Sequence, residues 1–84
     1  MRPYVIYINE AALNSAPRSG LPRAKVFNFI RSLADNPNMP GDFSEADDAH
    51  RTVQVKIIGH YAVTFWADHA VSEVKVTHIK SADQ

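Results

Sequence analysis

Cysteine is missing from all 84 residues, so disulfides and thiolate metal centres are excluded. That absence agrees with a reducing cytoplasm, which is the expected compartment. Long apolar runs are missing as well. The opening residues Met1 to Glu10 hold too short an apolar stretch for a signal peptide, and nothing approaches the ~20 residues of a spanning helix, so no membrane association is expected. An excess of one charge is also absent: nine basic and nine acidic side chains cancel. A general electrostatic pull on nucleic acid is therefore not visible in the total, and any such binding needs a local patch. There is no internal repeat and no low-complexity tract. What remains is 45% hydrophobic, enough to fold, in one expected domain over 1–84 near the lower size limit for a single core.

The last third carries most of the pattern. From Arg51 to Asp83, three runs rich in β-branched and aromatic residues are cut by Gly59-His60 and Asp68-His69-Ala70. Breaks this short suit hairpins and leave no room for crossover helices, which predicts an antiparallel meander. Ahead of it, Tyr4 to Ile8 reads as a buried strand. Asn9 is placed to cap a short helix from Glu10 to about Ser15. Pro22 suits the first turn of a second helix. Within it Val26, Phe27 or Phe29, Ile30, Leu33 and Ala34 form an apolar stripe, and Asn36-Pro37 ends it. Asp42 to Ala46 is a candidate short strand before the turn Asp47 to His50. The expected fold is α+β, in the order β-α-α-β-β-β. A small, mainly antiparallel sheet carries an N-terminal helical hairpin on one face. The hairpin is expected over Val53, Val55, Ile57, Val63, Phe65, Val74 and Val76. The opposite face is expected to show Thr52, Gln54, Lys56, Thr64, Trp66, Glu73, Lys75 and Thr77.

This order, the helix end Leu33-Ala-Asp-Asn-Pro37, the element Gly41-Asp-Phe-Ser-Glu45 and the strand pair Val53–Gly59/Tyr61–Trp66 together resemble the RelE/ParE toxin superfamily. The resemblance covers nearly the whole chain. It implies the toxin of a type II toxin–antitoxin pair, held inactive in a hetero-oligomer with a cognate antitoxin protein. RelE-like members are metal-free endoribonucleases that cut mRNA on the ribosome, and growth inhibition by that cleavage is the expected function, with two alternatives. ParE-like members share the fold and inhibit DNA gyrase without catalysis, and a toxin fold without toxicity would serve as a protein-binding module. Matched at Gly59, the family's two lysine positions fall on Thr52 and Gln54, with Lys56 alongside. Its arginine position falls on Tyr61, and its C-terminal basic position meets Lys80.

Cleaving RNA without a metal requires cations around a crowded phosphorane and groups that move protons. The catalytic candidates are therefore Lys56, Tyr61, His60 and His78, the two histidines being expected to meet across adjacent strands. Arg51, Lys56, Lys75 and Lys80 are candidates for phosphate, with Trp66 stacking on a base or meeting the antitoxin. The bland alternative stands beside each: turn histidines are ordinarily solvated, and charged residues on a sheet face usually serve solubility. Arg18, Arg23, Lys25 and Arg31 give the helical hairpin one sign, fit for nucleic acid or an acidic antitoxin segment. No spacing fits zinc, and Asp42, Glu45, Asp47 and Asp48 lack the alternation and central glycine of a calcium loop. No cofactor is expected.

Overall fold

A computed structural model describes residues 2–82. The elements are β1 (Val5–Ile8), α1 (Glu10–Ser15), α2 (Gly20–Ser32), β2 (Phe43–Ala46), β3 (Thr52–Ile58), β4 (Tyr61–Asp68) and β5 (Glu73–Ser81). They form a small α+β fold with a five-stranded mixed sheet in the order β1-β5-β4-β3-β2. The meander is antiparallel throughout, and β1 joins its β5 edge in parallel.

Local chemistry explains the helices. The Asn9 side chain accepts the Ala11 N–H at 2.8 Å, capping α1, with Glu10 in the first turn where the helix dipole favours an anion. In α2, Pro22 sits in the first turn, where a missing N–H costs nothing. The helix stops at Ser32 and runs on as turns to Asp35, closed by the Asn36 side chain donating to the Ser32 carbonyl at 3.0 Å. Inward-facing Ala12, Ala16, Val26, Ile30 and Leu33 then pack against Val63, Phe65, Val74, Val76 and Ile79. Phe29 meets Phe65 edge-on with ring centroids 5.6 Å apart. Tyr4, Ile6, Ile8, Ile58 and Tyr61 close the margins of this core.

One expectation about the sheet faces is overturned. Directly opposed residues of an antiparallel pair project to the same side. Gln54 lies opposite Phe65 and Lys56 opposite Val63, so the polar side of β3 shares the helix face. Val55 lies opposite Thr64 and Ile57 opposite Ala62, so Val53, Val55 and Ile57 belong to the helix-free, open face. Thr52 follows Gln54 and Lys56 to the helix side, whereas Thr64, Trp66, Glu73, Lys75 and Thr77 stay on the open one as expected. Alternation tells which residues of one strand share a side, but not which side that is; a shift of one residue exchanges them all. The helices cover β1, β5 and β4, so β3 needs no apolar row beneath them.

A bulge adjusts β5. Thr64 opposes His78 while Phe65 opposes Val76, leaving Thr77 as the extra residue. Val74 and Val76 are two apart, Ile79 follows after three, and all three still reach the core.

At the other edge, Gly41-Asp42 splices β2 onto β3. The Gly41 N–H donates to Gln54 Oε1 at 2.9 Å and the Asp42 N–H to the Val55 carbonyl at 2.8 Å. A Cβ on Gly41 would lie 2.5 Å from the Val55 oxygen, so the approach admits glycine alone. Gly41→Ala should therefore cost about 1–3 kcal/mol through overpacking against backbone. Phe65→Ala should cost about 3–5 kcal/mol by emptying the core. Urea unfolding of both variants checks the two values.

Candidate functional site

The open face gathers charge around one aromatic ring. Trp66 and Lys75 are paired across β4 and β5, and Arg51 enters β3 on the same side. The Arg51 guanidinium lies 3.9 Å from the centre of the Trp66 ring, and Lys75 Nζ lies 5.3 Å from it. Each cation is also held by carboxylate: Arg51 by Asp47 at 2.8 Å, Lys75 by Asp68 at 3.1 Å and by Glu73 at 3.8 Å. The result is a continuous chain of alternating partners from the β2–β3 turn across to β5. Asp47 earns its place through the turn it forms. Its Oδ1 accepts the N–H groups of Ala49 and Arg51, both at 2.9 Å. The Arg51 N–H above all, and then the Arg51 side chain, holds the Asp47 carboxyl below the usual carboxylate range. Arg51 and Lys75 are thus brought together, but as a ring-and-carboxylate ladder, not as an open phosphate clamp.

The remaining candidates scatter. Lys56 is on the helix face, bound to Asp42 at 3.2 Å. The Asp42 carboxylate also accepts the Ile57 N–H at 2.8 Å, extending the ladder beyond the end of β2. That backbone bond first, and Lys56 second, lowers its pKa from the ordinary 3.8. Tyr61 is half-buried at the core margin beside Ile58, next to His60 in the β3–β4 turn. His78 faces the open side opposite Thr64, four residues along β4 from His60. At about 3.3 Å per strand residue, their backbone positions lie roughly 13 Å apart along the sheet, which separates the expected pair. Lys80 is exposed on the open face opposite Ala62. His69 accepts or donates a 2.7 Å bond with the Tyr4 hydroxyl, and His50 occupies a left-handed turn position at φ 62°.

Two groupings escaped the sequence. Lys25, on α2, joins His60 and Tyr61 along a groove of about 220 Å³, walled by Leu21, Pro22 and Ile58. Only helix packing brings Lys25 there, so no spacing could have revealed it. The two anchoring carboxylates, Asp42 and Asp47, were visible only as part of an acidic loop. Among the described residues no three histidine, aspartate or glutamate side chains cluster in a metal-ligating arrangement, and no helix is long and apolar enough to cross a membrane. A scan of the sequence against protein-family models finds no match, and a search of curated proteins finds none either.

If the ladder is energetically coupled, a double-mutant cycle of Arg51→Ala with Trp66→Leu should yield a coupling of about 0.5–1 kcal/mol, the range for exposed cation–ring contacts. Additive losses in urea unfolding would show that the ring and the guanidinium are mere neighbours. Acid should expose the role of Asp42. Because its folded pKa is depressed, its contribution is complete above 3.8 and disappears as pH falls through the lower folded value. The stability gap between the native chain and Asp42→Asn should accordingly be full at neutral pH and close in that acid window, as followed by denaturant midpoints.

Proposed function

We propose that this chain is the toxin component of a type II toxin–antitoxin pair and acts in the cytoplasm by engaging a protein target, as ParE-like toxins engage DNA gyrase. It does so without cutting RNA, and a cognate antitoxin neutralises it. The toxin identity rests on the order of elements and on the residues that resemble the RelE/ParE superfamily. The mode of action rests on one observation: the cations that would clamp a scissile phosphate do not converge. Arg51 and Lys75 are neutralised on the open face, and Lys56 is tied to Asp42 on the other. A phosphate there would have to displace carboxylates from each. Protein contact is better served. Leu13 and Leu21 stand exposed on the helical hairpin, beside Arg18 and Lys25, which offers an apolar and basic surface to an acidic antitoxin segment.

Ribosome-dependent mRNA cleavage is the second function to weigh, because Lys25, His60 and Tyr61 line one groove. A cation, an imidazole and a phenol are the groups such cleavage requires. Inducible expression separates the possibilities. Growth arrest reversed by co-expression of the neighbouring reading frame, with inhibited gyrase supercoiling and an intact message pool, is the expected result. Mapped RNA 5′ ends that vanish in Lys25→Ala and Tyr61→Phe would transfer the function to cleavage. Unimpaired growth would leave a non-toxic binding module.

A further inference from the structure

A groove of about 260 Å³ on the open face adjoins the ladder, with which it shares Asp47. Val53 and Thr64 form its floor. Glu45 and Asp48 stand along one wall, at the end of β2 and in the following turn; Thr77, His78 and Lys80 of β5 stand along the other. Thr64 decides what this groove is for. The residue is only 5% exposed, yet its hydroxyl makes no hydrogen bond to any described residue. No fully enclosed side-chain nitrogen or oxygen among those residues lacks a partner, so this oxygen must open into the groove that it lines. A nearly buried hydroxyl with no internal partner is satisfied only by what enters from outside.

The β5 bulge supplies the second feature. By adding Thr77 it turns both Thr77 and His78 toward the groove, while Val76 and Ile79 on either side return to the core. Bulges commonly re-aim side chains beside binding sites in this way. The walls differ in sign. Asp47 is committed to Arg51, but Glu45, Asp48 and Lys80 have no charged partner among the described residues. A polyanion such as a nucleic-acid backbone would meet the free carboxylates and be repelled.

We propose that this groove binds a short zwitterionic peptide, its ammonium on Glu45 and Asp48 and its carboxylate on Lys80, His78 and the Thr64 hydroxyl, the Thr77 hydroxyl being held by His78 Nδ1 at 3.0 Å. Glu45 lies opposite Val53 and Lys80 opposite Ala62, so the charged walls are offset along the strands as well as across them, and the ligand runs diagonally over the groove floor. A cavity of about 260 Å³ admits only a short peptide.

Triglycine is the probe, titrated into the intact ¹⁵N-labelled chain beside N-acetyl-triglycine and triglycine amide. Triglycine should move the amide signals of Thr64, Thr77, His78 and Lys80 saturably. Loss of either terminal charge should weaken binding about tenfold, the scale of one charge-assisted hydrogen bond. Thr64→Val keeps the shape and deletes the hydroxyl, and should weaken triglycine several-fold. Lys80→Ala, at an exposed position that cannot disturb the core, should weaken triglycine while leaving triglycine amide unaffected. An equal response to all three peptides, no saturable response, or unchanged affinity in both variants overturns the proposal.

Discussion

The pairing of β3 with β4 governs most of what this molecule presents to its surroundings. The turn at Gly59-His60 sets Ile58 opposite Tyr61, and every later pair follows: Lys56 with Val63, Val55 with Thr64, Gln54 with Phe65. Gly59 adopts a φ of 62°, in the left-handed region that a tight hairpin demands and a glycine meets without strain. Two residues of turn thereby decide which side chains face the helices and which lie on the helix-free side, where Val53 and Val55 are still buried. With Phe65 and Val63 claimed by the core, Lys56 and Gln54 must point toward the helix side. There they serve the splice of β2 rather than the open surface.

The second consequence is electrostatic. The chain is neutral overall, and around Trp66 and the β2–β3 splice it is neutral locally as well. Asp42 answers Lys56, Asp47 answers Arg51, and Asp68 and Glu73 answer Lys75. Exposed pairs of this kind contribute little to stability individually. Their effect is to cancel the surface potential that would draw a polyanion. Turn-forming aspartates do this without strain, since Asp47 organises its turn and pairs Arg51 with the same carboxylate.

Much of the fold was legible because its signals are local. The capping of α1 by Asn9, the proline in the first turn of α2 and the hairpin breaks each depend on residues close in sequence. The strand Phe43–Ala46 was visible for the same reason, at the head of a turn rich in aspartate. The face of β3, the bulge at Thr77 and the carboxylate partners were not, since each depends on contacts between distant segments. Val76 and Ile79 are three apart in a strand, a spacing that alternation alone assigns to opposite sides. The candidate site suffered most. His60 and His78 looked like neighbours because their strands are neighbours, but the register separates them along β4.

By itself, then, the sequence determined the kinds and order of the elements, the antiparallel meander, the stripe of α2 and the lack of net charge. Period, capping and turn preference are properties of adjacent residues. Tertiary structure alone decided that β1 runs parallel to β5, that Val53 and Val55 turn away from the helices, and that Thr64 opens onto a groove between walls of opposite charge. Those outcomes depend on how strands slide and turn against one another, and a single residue of slip would have reversed them.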